Sequence, residues 1–95
     1  MRQLDGLFYR ACSSGCVRIV EKALKAGANA NWNCSNTTTG LMVSAFYGHT
    51  DIVKLLLEAG VEVNAKSGAG NTALTFALTK KQTEIATLLQ EAGAK

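Results

Sequence analysis

The chain has 95 residues, 47% of them hydrophobic and 18% charged, with a formal net charge of +3. That length holds one small domain with little apolar surface to spare, and the composition is that of a folded chain rather than a disordered one. The ten basic residues are spread from Arg2 to Lys95 with only Lys80 and Lys81 adjacent, and no apolar run is long enough for a bilayer span, which argues against a nucleic-acid binder and a membrane protein.

At the amino terminus, Asp5 and Arg10 interrupt "LDGLFYRAC", so no segment of signal-peptide length forms there. Three cysteines, Cys12, Cys16 and Cys34, do not make the paired pattern of a disulfide-stapled secreted domain. Reduced thiols and a cytoplasmic location are the expectation.

Next along the chain comes "GCVRIVEKALKAGANANW", and 33 residues later "GHTDIVKLLLEAGVEVNA" repeats it. Gly15, Ile19, Val20, Leu24, Ala26, Gly27 and Asn31 fall on Gly48, Ile52, Val53, Leu57, Ala59, Gly60 and Asn64. The same offset carries Thr39, Leu41, Thr50, Ile52, Leu55, Leu56, Glu58, Ala59 and Gly60 onto Thr72, Leu74, Thr83, Ile85, Leu88, Leu89, Glu91, Ala92 and Gly93. Three copies without insertion mark a repeat architecture, at about 1–33, 34–66 and 67–95 of a single domain.

The middle copy shows the elements. Thr39 has the hydroxyl of an N-cap, and a short helix runs from it to about Tyr47, where Gly48 stops it. After a tight turn at Gly48-His49-Thr50, Ile52, Val53, Leu56 and Leu57 form one apolar stripe of a second helix. Gly60 ends that helix in a left-handed C-cap, and "VEVNAKSGAGN" continues as an extended finger with a turn at its tip.

This order of turn, helix, turn, helix and finger resembles the ankyrin repeat, on "GH..IV.LLL.AG..VNA" at 48–65, "G..RIV..AL.AGAN.N" at 15–31 and "NTALTFAL" at 71–78. The resemblance implies an all-α solenoid of three helix-turn-helix units with projecting β-hairpin-like fingers. Its concave face is made by fingers and first helices. The family's T-P-L-H opening is altered to "GLFY" (6–9), "TGLM" (39–42) and "TALT" (72–75), without proline or histidine, so the usual histidine bonds are expected to be missing or replaced. Lys81, Gln82 and Gln90 in the third copy, and Lys22 and Ala23 in the first, read as polar caps on a complete three-repeat stack.

Little in the chain suggests catalysis. His49 is the only histidine and sits where the family's Gly-His pair braces the loop, leaving no base for a Ser/His or Cys/His pair. Cys12, Cys16 and His49 could be imagined as metal ligands, but Cys12 occupies the place of Ala45 and reads as a small buried hydrophobe. Cys34, at the first finger tip, reads as exposed and has no neighbouring cation to activate it. "SGAGN" at 67–71 lacks the lysine and spacing of a phosphate loop. No enzyme, cofactor or metal is expected.

Recognition of a protein partner remains. By the resemblance, the partner-facing places are finger tips, the opening of each first helix and the two residues before its end. They include Asp5, Ser13 and Ser14 in the first copy, then Asn33, Ser35, Asn36, Thr38, Phe46 and Tyr47, then Lys66, Asn71, Thr79 and Lys80; Trp32 lies on the first finger, at the place of Ala65 in the next. A Trp32/Phe46/Tyr47 aromatic cluster, flanked by Asn36, Lys66 and Lys80, is the candidate site, favouring a somewhat acidic or carbonyl-rich partner; the alternative is that the Trp32 or Tyr47 ring covers the finger base, with Phe46 partly in the core. The expectation is a monomeric adaptor, tether or inhibitor. The alternative is a structural fragment or regulatory subunit of a larger ankyrin-containing assembly.

Overall fold

The computed structural model describes residues 3–33 and 38–94. Within them lie α1 (Gln3–Ser14), α2 (Val17–Lys25), α3 (Gly40–Tyr47), α4 (Thr50–Glu58), α5 (Ala73–Thr79) and α6 (Thr83–Glu91). The first helices α1, α3 and α5 pack in one row and the second helices α2, α4 and α6 in another, which is the expected all-α repeat stack.

One device ends all six helices. An amide just past each end bonds back to a carbonyl five residues earlier: Cys16 to Ala11, Ala28 to Ala23, His49 to Ser44, Val61 to Leu56, Gln82 to Ala77 and Ala94 to Leu89, at 2.8–3.4 Å. This closure requires positive φ at the residue before the donor. Gly15, Gly27, Gly48, Gly60 and Gly93 supply it at five ends, and Lys81, at φ 58°, supplies it at the sixth.

The starts of α3 and α5 show what replaces the absent histidine. Thr39 Oγ1 accepts from the Met42 amide at 3.3 Å, and Met42 Sδ accepts from the Thr39 amide at 3.5 Å. Thr75 plays the part of Met42 in the next copy, its amide donating to Thr72 Oγ1 at 3.3 Å and its Oγ1 accepting from the Thr72 amide at 3.4 Å. The reciprocal capping box is therefore kept with a sulfur or a hydroxyl as the returning acceptor.

The core runs between the two rows. Phe8, Cys12, Val20, Leu41, Met42, Ile52, Val53, Leu56, Ile85 and Leu89 are fully buried. Burial of each large apolar side chain contributes about 1.5–3 kcal/mol. Repeats one and two meet closely at Gly40, where an added Cβ would lie 2.9 Å from Cys12 Sγ and 3.3 Å from the Phe8 ring. The small buried cysteine read from the sequence thus sits in the joint between two first helices. Its burial pushes the thiol up from 9.0 to about 12.

The turns of the second helices make another joint. His49 Nε2 lies 3.1 Å from Ser13 O, and its ring fills the space beside Gly15. One repeat on, the Gln82 amide fills the space beside Gly48, where a Cβ would lie 2.8 Å from Nε2. Gln82 is therefore not a solvent-facing cap, because it packs on the preceding copy as His49 does. Ala23 is buried as well. The terminal faces are less polar than expected, since Leu7 and Ile19 at one end and Leu78 at the other are exposed.

Side chains tie the fingers to the stack. Asp5 Oδ1 accepts from the Asn29 amide at 2.8 Å, Asn31 Oδ1 accepts from the Glu62 amide at 2.7 Å, and Asn64 Nδ2 donates to Gly93 O at 3.1 Å. Among the described residues the fingers form no strand ladder. An antiparallel bridge joins Asn33 to Thr39, and the second finger closes through Ser67 N–H to Asn71 O at 2.8 Å.

Candidate functional site

The most distinctive surface on the first-helix row centres on Phe46, in the last turn of α3. Its ring meets Tyr47 edge-on at 5.0 Å and Phe76 of α5 at 5.9 Å. Both approaches are T-shaped, the arrangement that places the positive edge of one ring on the negative face of another. Lys80, the C-cap of α5, carries Nζ 4.6 Å above the Phe46 ring, within cation–π range. Phe46 is half-buried, whereas Tyr47 is 56% exposed and also stacks at a tilt against His49, 6.1 Å away.

Two adjoining recesses open beside this group. Thr38, Met42, Val43, Phe46, Tyr47 and Phe76 line one of about 220 Å³. Thr38 and Phe76 also border the second, of about 470 Å³, whose other wall is the finger turn of Ser67, Gly68, Ala69 and Asn71. The first is apolar and floored by buried Met42 and Val43. The second is more polar.

The sequence-derived residues divide among several places. Phe46, Tyr47, Thr38, Asn71 and Lys80 come together around the recesses. Lys66 is exposed next to the finger turn, and Thr79 is exposed on α5 beside Lys80. Trp32 leaves the expected cluster: it is half-buried and packs edge-on against Tyr9 of α1 at 5.5 Å, so the aromatics form two groups. Asn33 is exposed at the bridge to Thr39. Ser35, Asn36 and Cys34 lie outside the described residues.

Other expected contact positions are engaged internally. Asp5 is buried against the finger base, Ser13 O faces His49, and Ser14 Oγ donates to Arg10 O at 3.0 Å. Phe76, Met42, Val43 and Tyr9 were not anticipated. Phe76 falls four residues before Lys80, the one-turn spacing that puts two side chains on the same helix face, and this was the available signal.

His49 directs Nε2 at a backbone carbonyl, and among the described residues no three His, Cys, Asp or Glu side chains converge on a metal position. No described helix is long and apolar enough to cross a membrane.

Two rows of stacked helices with a 33-residue period define a repeat solenoid, a class that presents an extended face rather than a closed pocket. A family model of ankyrin repeats, in 3 copies, matches residues 8–95, and the chain belongs to that family. Ankyrin repeats are in general protein–protein interaction modules. Comparison with curated proteins finds no match.

Proposed function

We propose that this chain is a non-enzymatic, monomeric binding module of the cytoplasm, acting as an adaptor, tether or inhibitor on a protein partner held at its concave face. The observation that carries the reading is the exposed Tyr47 beside the Phe46/Phe76/Lys80 group, on the first-helix row and next to a finger turn. Exposed aromatics that bury a large area at small entropic cost are common anchors of interfaces. Lys66 and Lys80 favour a somewhat acidic partner.

The test is affinity capture with wild type and a Tyr47→Ala/Lys80→Glu variant, with melting curves checked on both. Trp32 is left intact in this variant, because its contact with Tyr9 would let a substitution there act through stability. Loss of one captured protein by a still-folded variant supports the reading. Unchanged capture rejects this face.

The exposed Leu7, Ile19 and Leu78 are the observation in favour of the second reading, a unit of a larger ankyrin assembly. That reading predicts that Leu78→Ser weakens capture while the concave variant does not.

A further inference from the structure

We propose that the concave recess takes a short, extended peptide segment in which one apolar side chain enters between Phe46, Tyr47 and Phe76 and a neighbouring carboxylate meets the Lys80 ammonium. This rests on the concave-face reading above and goes beyond it by assigning the chemistry of the bound segment.

The size and lining of the recess are the first ground. At about 220 Å³ it falls below the roughly 300–1,000 Å³ of small-molecule sites, and its walls are apolar except for the Thr38 and Tyr47 hydroxyls. One large side chain suits it. The polar recess continues from it past Thr38 and Phe76 and along the finger turn, so a chain leaving the socket meets polar groups of 67–71. That path is lined on one side by the finger turn and on the other by Thr38, just ahead of α3, and by Phe76 of α5, which suits an extended segment.

Charge is the second ground. All seven carboxylate residues lie among the described residues, and five of them, Glu21, Asp51, Glu58, Glu84 and Glu91, are on the second helices. Asp5 is buried at the finger base, and Glu62 is at the start of the second finger. Neither α3, α5 nor the 66–71 turn carries an acid, whereas Lys66 in that turn and Lys80, the C-cap of α5, are exposed. An incoming carboxylate thus meets cations without like-charge neighbours, and Lys80 is already held at one position over Phe46. A basic segment would meet repulsion at the same place.

Fluorescence polarisation on the whole chain tests this with four labelled probes. They are peptides with the cores Glu-Glu-Phe-Glu-Glu, Glu-Glu-Ala-Glu-Glu and Lys-Lys-Phe-Lys-Lys, and a single-stranded oligothymidine. The acidic aromatic probe is expected to bind about ten-fold tighter than either other peptide, and more weakly as salt rises. Lys80→Glu reverses the acidic-over-basic preference, and Tyr47→Ala removes the advantage of phenylalanine over alanine. Equal binding of the alanine probe reduces the effect to bulk charge and overturns the socket. Preference for the basic probe or for the oligonucleotide overturns the partner class, and so does absence of peptide binding at about 1 mM. If these probes fail while capture of a protein still depends on Tyr47 and Lys80, the concave-face function stands and the peptide assignment alone falls.

Discussion

Lys81 adopts at φ 58° the left-handed conformation that Gly48 adopts at φ 78° one repeat earlier. A side chain in that region costs about 1–2 kcal/mol, because Cβ crowds the following carbonyl. Gly48 has a further reason to lack a Cβ, since the Gln82 amide lies against it, whereas Lys81 is exposed. Lys81→Gly is therefore expected to raise stability by about 0.5–1 kcal/mol after the entropy of the freer unfolded chain is subtracted. Urea melts that show a higher midpoint at unchanged slope would confirm it, and a lower midpoint would show that Lys81 makes contacts worth more than the strain.

The glycines that close the other helices separate backbone from packing. Gly60 and Gly48 share nearly the same φ, but a Cβ at Gly60 meets nothing within 4 Å. Gly60→Ala should cost about 1 kcal/mol, from backbone conformation alone. Gly48→Ala adds displacement of Gln82, a flexible side chain, and should cost somewhat more. A Gln82→Ala background should bring the two costs together. Unequal costs in that background would mean that Gln82 is not the neighbour responsible.

Gly40 is tight for a different reason. Its backbone is helical at the first position of α3, so alanine there gains less than the ~1 kcal/mol of a helix interior, and the new Cβ would sit 2.9 Å from Cys12 Sγ. Overpacking of this kind costs about 1–3 kcal/mol, so Gly40→Ala should destabilise in the native background. Removal of the sulfur by Cys12→Ala opens the space, and the same substitution should then be near neutral or stabilising. A double-mutant cycle measures the coupling, expected to be at least about 1 kcal/mol. An additive cycle would mean that the Phe8 ring, not the thiol, sets the limit.

How far the chain could be read in advance follows from which interactions recur with the 33-residue period. Helix ends recur, so Gly15, Gly27, Gly48, Gly60 and Gly93, with the caps Thr39 and Thr72, make the architecture legible residue by residue. The role of Gln82 was obscured because glutamine differs from His49 in kind while filling the same space against the preceding turn. Between a place beside Phe46 and Tyr47 and one over the finger base, the neighbours of Trp32 were not legible, because its contact with Tyr9 depends on how the finger folds back onto α1, which no local spacing encodes. Phe76 was overlooked because its equivalents, Arg10 and Val43, are not aromatic, so no ring recurs at that place of the repeat. Asp5 looked solvent-facing until the bond to the Asn29 amide gave its carboxylate an interior role.

Burial raises the Cys12 thiol from 9.0 to about 12, so the folded chain holds that proton when an unfolded one releases it. The resulting stability is fully present below about pH 9 and is lost as pH rises from 9 toward 12. Wild type should lose more stability than Cys12→Ala over that interval, because other alkaline titrations are common to both. At pH 8, iodoacetamide should modify the exposed Cys16 and leave Cys12 untouched until urea is added. Rapid native labelling of Cys12 would show that the joint between α1 and α3 opens readily.

Trp32 and Tyr47 are both aromatic, yet they should report on different properties. Trp32 is half-buried, with its ring edge-on to Tyr9, so Trp32→Ala removes both buried area and a ring pair. A stability loss of about 1–2 kcal/mol is expected. Tyr47 is 56% exposed, and Tyr47→Ala should change stability by no more than about 0.5 kcal/mol because Phe46 keeps its contacts with Phe76 and Lys80. Partner capture should respond in the opposite order, Tyr47→Ala losing it while a folded Trp32→Ala protein, assayed well below its melting temperature, retains it. If both substitutions abolish capture at equal folded fraction, the binding surface extends across the first finger to Trp32 and the two aromatic groups act together.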